Sequence, residues 1–406
     1  MRAIHSDHAI LGDEAPLADA ALILAPDGTI EDLGPAGEIL PRHAGLTIER
    51  VHGVIFPALI NAHVHLELSA LRGQIAGGSG FVPWVERLIG ARGATTEADQ
   101  SGAIDRAVGE LVAYGTGAVG EVTNSLAAVG ALARAKIGGS IFHEIFGLDR
   151  AAIMARVEGL RGELEPLLRT WPTTDLAYAP APHTLYTTHT DAVRSLAEHA
   201  RARGVSTSLH LAEHAAERTA LERGEGTVPA WLSDRLNMSA SQLAWPMLSP
   251  VAQADALGAL GSHVIVVHLT DARPAELALI AKRGSPVVLC PRSNLHIETA
   301  CPPLLDVRNA GIEAALGTDS LASNASLDVL AEARALGDRF PGVPARELLQ
   351  MATWNGARAL GRHELGRIRR GARPGIVAVD GARIDEPAAF LLRNVRLPRR
   401  WIEARR

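Results

Sequence analysis

Cysteine and lysine are almost missing from this chain, and each shortage closes off a class of structure. Cys290 and Cys301 are the only cysteines in 406 residues, too few for a disulfide framework or a cysteine-rich metal site. Cys290 closes an apolar run, the usual setting of a buried thiol. Lys136 and Lys282 are the only lysines among 40 basic residues; the bias toward arginine is what a GC-rich genome produces. Long apolar runs are missing too. No stretch approaches the roughly 20 apolar residues that span a bilayer, and the opening MRAIHSDHAILGDEAP lacks the apolar core of a signal peptide. Nor is there a long run of positive charge, and the net charge is −5. That argues against nucleic acid or an anionic membrane as a partner. These absences predict a soluble cytoplasmic protein without a nucleic-acid or membrane partner, with homo-oligomerisation left open.

What is present suits a large core: 47% of residues are hydrophobic and 21% charged. The length fits one large barrel with an accessory domain, or two medium domains. Residues 1–56 read as short apolar pieces broken by turns, at 21–26, 28–34 and 46–56. Near the other end GRIRRGARPGIVAVD (366–380) reads as strand, turn, strand. Strand-rich ends around a different middle predict one small composite β-sandwich assembled from 1–56 and 361–406, with 57–360 between them.

The middle alternates. Short apolar runs, often β-branched, recur at 57–63, 117–122, 140–146, 175–179, 205–211, 263–269, 286–290 and 312–316. Stretches with helical spacing separate most of them, such as 127–135, 190–203 and 274–282, the last opening with a proline that suits a first helical turn. Such strand-then-helix units predict an α/β fold, a (β/α)8 TIM barrel. A doubly wound sheet is the competitor, but no glycine-rich phosphate fingerprint follows any of these runs.

In a barrel the C-terminal strand ends converge on one face, so the polar residues there are informative. The first run ends Asn61-Ala62-His63-Val64-His65-Leu66-Glu67. Alternate strand residues share a side, so His63 and His65 can aim two imidazoles at one point, as a metal requires. Alone, such a pair is more often surface or satisfied core. The fifth run carries His210, with Glu213 three residues on, where the strand should turn toward a helix. A carboxylate there either complements the helix dipole or reaches over a metal bound by His210. His214 and Glu217 continue that turn as solvated, structural or pocket-lining groups. The sixth run ends in His268, structural or catalytic. The eighth ends Leu316-Gly317-Thr318-Asp319-Ser320, where Asp319 either caps the next helix or binds metal. Together these strand ends supply three histidines and an aspartate, plus a free Glu and a free His. That set reads as a metal site held by His63, His65, His210 and Asp319.

These residues lie in stretches by which the chain resembles the amidohydrolase superfamily, in its cytosine/adenosine-deaminase-like and chlorohydrolase-like branch. The stretches are PALINAHVHLELSALRG, YAPAPHTLYTT, LHLAEHAAE, VVHLTDA, VVLCPRSN and GTDSLASN, in family order across about 55–360. The terminal segments are similar to the family's composite β-sandwich. The resemblance implies one divalent metal, zinc or Fe(II), on His63, His65, His210 and Asp319. It implies Glu213 as the acid/base glutamate, His268 as the histidine that assists the attacking water, and His183 as a substrate contact. Binuclear members carry a carboxylated lysine at the end of the fourth strand. Here that strand ends Ala179-Pro180-Ala181-Pro182-His183, and both lysines fall in or at the end of predicted helices.

The implied site is therefore mononuclear, and the implied reaction is hydrolytic loss of ammonia from an aminated heteroaromatic ring, foremost the adenine ring of a nucleoside. Glu213, His268 and Asp319 would manage its protons. Arg292, in Cys290-Pro291-Arg292-Ser293-Asn294, either pairs with a substrate carboxylate or stabilises its loop. Trp84, in GFVPWVERLIGAR, either stacks on a base or sugar or anchors the core, and Glu144 is a further pocket candidate. Rival substrates within the branch are S-adenosylhomocysteine, methylthioadenosine, guanine and chlorinated triazines. A catalytically inactive metal-binding scaffold is the reading from another class.

Overall fold

The computed structural model describes residues 1–237, 243 and 245–404. Strands β1 (Arg2–Ala9), β2 (Leu17–Leu24), β3 (Ile30–Pro35) and β4 (Ile48–Pro57) come first. Then β5 (Leu59–Val64), β6 (Thr116–Thr123), β7 (Gly138–Ile145) and β8 (Leu176–Pro182) run parallel as one sheet in that order. A second parallel sheet holds β9 (Thr207–Leu211), β10 (Val264–His268), β11 (Val287–Leu289) and β12 (Ala315–Leu316), ordered β12-β11-β10-β9. The chain closes with β13 (Ile376–Asp380) and β14 (Arg400–Glu403). These two join the first four strands in a six-stranded sheet, β14-β13-β4-β1-β2-β3, built from both ends of the chain.

Burial explains why the middle strands are parallel. Every residue of β5, β6, β9 and β10 is buried, which requires cover on both faces, and helices after the strands supply it on one. Helix Thr190–Arg203 coincides with its predicted span, and helix Pro274–Arg283 starts on the predicted proline; both end on left-handed glycines, Gly204 and Gly284. On the other face Ile60, Ala118, Phe142, Ala179, Ile265, Val288 and Ala315 pack in one apolar cluster. Strands from both four-stranded sheets therefore share an interior.

The two sheets also meet at both edges. On one side Val64 and Asp319 form a parallel bridge, and the amides of Thr318 and Asp319 donate to His63 O at 3.0 and 3.1 Å. Gly317 makes this approach possible, because a Cβ there would lie 2.6 Å from His63 Cβ. On the other side the His210 amide donates to His183 O at 3.1 Å and Thr207 Oγ1 to Pro180 O at 3.0 Å. Among the described residues these seams are single contacts between two ladders, not one continuous ladder.

Two expectations at the ends are corrected. Residues 366–380 hold one strand, not two. Gly366, Gly371 and Gly375 all have left-handed φ (71°, 77° and 73°), so the chain turns repeatedly before β13. Isolated bonds, Ile368 N to Leu11 O and Gly371 N to Ile30 O, replace a ladder there; the partners of β13 are instead β14 and β4. Strand β1 went unpredicted because RAIHSDHA is largely polar; pairing with β2 and β4 on its two sides holds it. Among the described residues no helix is long and apolar enough to cross a membrane.

Candidate active site

The end of β5 places His63 fully inside the protein, and neither of its ring nitrogens has a hydrogen-bond partner among the described residues. Leaving a buried polar group unpaired costs on the order of 1–3 kcal/mol. His65 follows as the strand ends. Its Nε2 lies 3.4 Å from His210 Nε2 and 3.7 Å from Asp319 Oδ1, while His63 Nε2 stands 4.0 Å from the same carboxylate oxygen. The ligand atoms of His63, His65 and Asp319 all fall within 4.8 Å of one another, as do those of His63, His210 and His268. Imidazole nitrogens facing each other and a carboxylate, with His63 unpartnered, form a donor set that fits a divalent cation.

The surroundings orient these groups. His210 Nδ1 donates to His183 O at 3.0 Å, which leaves the Nε2 lone pair facing His65. Asp319, at a left-handed φ of 56°, has Oδ2 accepting from Ser293 Oγ at 2.5 Å and Ser323 Oγ at 3.2 Å, and Oδ1 from the Ser320 amide at 2.8 Å. Burial pushes the Asp319 carboxyl up, but His65, His268 and the Ser293 hydroxyl outweigh it and hold it below its usual value. Burial, then the neighbouring His65, His210 and His268, holds His63 neutral, well below the ordinary histidine range. A neutral imidazole is the ligating form.

The other half of the site comes from β9 and β10. Ala212, at a φ of 50°, turns the chain after β9, and buried Glu213 follows with Oε1 3.6 Å from His268 Nε2. Burial first, and the charges of Asp319 and Glu298 next, push Glu213 well above the usual carboxyl range. Such a group can hold a proton near neutral pH and pass it on. His268 is itself left-handed, and the Asn294 side-chain amide lies against its Nδ1, with Nδ2 at 3.2 Å and Oδ1 at 3.4 Å.

A cavity of about 540 Å³ opens over these residues. His65, Glu144, His183, His210, Glu213, His268 and Asp319 line its polar part, and Phe81, Trp84, Leu88, Phe146, Trp231 and Leu236 its apolar part. His183, pushed down to about 3 by burial and by His65 and His268, hydrogen-bonds Thr187 Oγ1 at 2.7 Å through Nδ1. Glu144 accepts from Asn124 Nδ2 at 3.2 Å, while its buried Oε1, 3.6 Å from His210 Nδ1, has no hydrogen-bond partner among the described residues, nor does Trp84 Nε1.

Arg292 is the exception among the substrate-contact candidates, since it does not line this cavity. Its amide donates to Glu332 Oε2 at 2.9 Å, and Nη1 donates to Ser326 Oγ at 3.1 Å and lies 3.5 Å from Glu332 Oε1. Glu332 is wholly buried and needs a counter-charge, which turns Arg292 toward it and favours the loop-stabilising alternative.

Several contributors had escaped notice. Ser293 and Ser323 sit inside VVLCPRSN and GTDSLASN, so the motifs already contained them. Trp231 and Arg235 reach the cavity from helix Thr227–Leu236, which carries no comparable signal.

A model of the Amidohydrolase family matches residues 54–400. Among curated proteins, an aminodeoxyfutalosine deaminase of Deinococcus radiodurans is 29% identical over 349 residues, covering 82% of this chain and 79% of that protein. A 5-methylthioadenosine/S-adenosylhomocysteine deaminase of Moorella thermoacetica is 28% identical, covering 92% and 84%. Among solved structures, Helicobacter pylori aminofutalosine deaminase in complex with methylthio-coformycin superposes with a TM-score of 0.89 at 23% identity, covering 100% of this chain and 99% of that one. An adenosine deaminase of Xanthomonas campestris with bound zinc gives 0.78 at 24% identity, covering 96% and 88%. At these identities the superpositions speak to the fold.

Proposed function

This chain belongs to the amidohydrolase family, and from that premise we propose that it is a metal-dependent deaminase of the adenine ring in a 5′-modified nucleoside, aminodeoxyfutalosine first. The observation that carries the reading is Glu213, a buried carboxyl 3.6 Å from His268 Nε2, with the His268 ring in turn 5.6 Å from that of His63, whose nitrogens have no hydrogen-bond partner among the described residues. The names of the Deinococcus and Moorella relatives support the substrate class. The two four-stranded sheets are read as halves of a (β/α)8 barrel over 57–360, and the six-stranded sheet as a separate small domain from 1–56 and 361–406.

His63, His65, His210 and Asp319 would hold one divalent metal, zinc before Fe(II); no lysine stands on β8 to bridge a second. When bound, such an ion acidifies a water toward a pKa of about 7 and so supplies a nucleophile. The chain's own residues handle the rest. Glu213, whose protonated form burial favours, donates to a ring nitrogen while the amine-bearing carbon is attacked; the carboxylate left behind then takes the proton of the new C–OH group and hands it to the amine, which departs as ammonia as the C–N bond breaks and the C=O forms. His268, steadied by Asn294, accepts from the attacking water, and Asp319 orients it. His183 and Trp84 border the space for the ring, and Glu144 Oε1 offers an acceptor to a sugar hydroxyl.

The test is a panel of aminodeoxyfutalosine, methylthioadenosine, S-adenosylhomocysteine, adenosine, guanine and a chlorinated triazine, offered to protein loaded with zinc or Fe(II). Ammonia release with an ultraviolet shift from a nucleoside is expected, and a chelator should abolish it. Turnover of guanine or the triazine alone would replace the nucleoside reading. Loaded protein that turns over nothing would make the chain a metal-binding scaffold.

A further inference from the structure

Glu217 and Arg218 are neighbours on helix Ala215–Arg223, both buried, and neither faces the cavity. Their side chains reach two different strand ends. Glu217 Oε1 accepts from the Ala212 amide at 3.1 Å and Oε2 from the Glu213 amide at 2.8 Å. Arg218 donates through Nε to Asp271 Oδ2 at 2.5 Å and through Nη2 to Asp271 O at 2.6 Å. The same guanidinium bonds both oxygens of Glu276, at 3.0 and 2.7 Å, and Glu222 Oε1 at 3.0 Å. The two strand ends are also tied to each other, with the Asp271 amide on Ala212 O at 2.8 Å and the Leu269 amide on Leu211 O at 3.1 Å.

These contacts grip backbone that a side-chain-bearing residue rarely adopts. Ala212 has a φ of 50°, His268 of 79° and Leu269 of 54°. Such conformations persist only where the surroundings over-determine them. Here they fall immediately before Glu213 and at His268 itself, the two groups that approach to 3.6 Å. Glu217 accepts from the amides of both Ala212 and Glu213, the turn residue and the one that follows it. The clamp also touches the cavity wall. His214 Nδ1 accepts from the Glu217 amide at 3.0 Å, and its ring stacks on Phe81, which opens helix Phe81–Gly93, with centroids 4.1 Å apart.

We propose that Glu217 and Arg218 are positioning residues: Glu217 sets the turn that aims Glu213, and Arg218 sets the turn that aims His268. One buried dipeptide thus registers the proton donor against the proton acceptor, independently of the metal ligands. The inference rests on the acid/base reading of Glu213 and His268 above.

The variants are Glu217→Gln, which keeps one acceptor oxygen, Glu217→Ala, which keeps none, and Arg218→Lys, which keeps the charge and loses the fork. In zinc-loaded protein, metal content, melting temperature, kcat and KM on the nucleoside that wild type deaminates, and amide hydrogen exchange across 207–217 would be measured. Expected for Glu217→Ala is a kcat lower by roughly 10- to 100-fold, with KM and metal content near wild type and faster exchange at 212 and 213. Glu217→Gln should fall between Glu217→Ala and wild type, the partial rescue that a purely structural role would not produce. Should Glu217→Ala fail to fold, Glu217→Gln and Arg218→Lys decide. A kcat unchanged in every variant overturns the inference, and so does a loss that merely tracks lost metal or lost melting temperature with exchange at 212 and 213 unaltered. If wild type deaminates no nucleoside, the deaminase reading fails separately, and exchange at 212 and 213 alone then decides whether the clamp exists.

Discussion

The two halves of the candidate site are organised by opposite means. Where β5 meets β12, His63 carries two buried nitrogens without partners, and its near neighbours are nitrogens and a carboxylate of the same ligating kind. Where β9 meets β10, Glu213 and His268 sit on left-handed turns whose backbone is bonded by Glu217, Asp271 and the facing strand. In the first half His63 has no hydrogen-bond partner among the described residues, and a cation would supply one. The second is held by hydrogen bonds of the protein itself, with burial pushing the Glu213 carboxyl up. The difference teaches that, on the proposed reading, ligation and proton transfer would depend on separate contacts and be open to separate disruption.

His65→Ala should break the first half outright, with metal content falling well below that of wild type and turnover lost. Unchanged metal by elemental analysis would remove His65 from the ligand set. Glu213→Gln should break only the second half: turnover falls by about 10²–10⁴ while metal is retained. A fully active variant would refute the proton role, and a metal-free one would refute the separation of the halves. Ser293→Ala removes the 2.5 Å hydroxyl from Asp319 and should weaken metal binding by roughly 10- to 100-fold in a chelator competition. An unaltered affinity would show that Ser320 and Ser323 suffice.

The smallest effect concerns Glu332, outside both halves. Burial raises its carboxyl from 4.5 to about 7 against the opposing pull of Arg292. A raised carboxyl makes the folded state bind more protons than the unfolded one, so its stability contribution is full below about pH 4.5 and is lost as pH rises through about 7. Melting temperature followed from pH 5 to 8 should therefore decline less steeply in Glu332→Gln than in wild type. Parallel declines would mean that Glu332 does not titrate in that window.

Much of the site was legible because its residues sit at strand ends, and strand ends follow from short-range pattern. His210, Glu213 and His268 lie where β9 and β10 finish, within a residue or two of the predicted runs. Arg292 shows where legibility stops. Its place beside VVLCPRSN was evident, but its direction was decided by a buried acid 40 residues away. Glu217 shows the same limit, because first-turn spacing leaves it structural, solvated or pocket-lining, and only the two amide bonds choose. At the C-terminus, three left-handed glycines turned an expected strand pair into one strand and a run of turns.

The sequence by itself determined the alternation of strands and helices, their order, and which chemical groups stand at each strand's end. Those depend on periodicity and turn residues within a few positions of each other. Only the tertiary structure decided which groups meet. Asn61 and Thr318, 257 residues apart, pair through a 2.7 Å hydrogen bond that draws β5 and β12 together, and His63 lies buried there with no hydrogen-bond partner among the described residues. Burial and long-range contact come from the whole packing around a residue, and no local spacing encodes them.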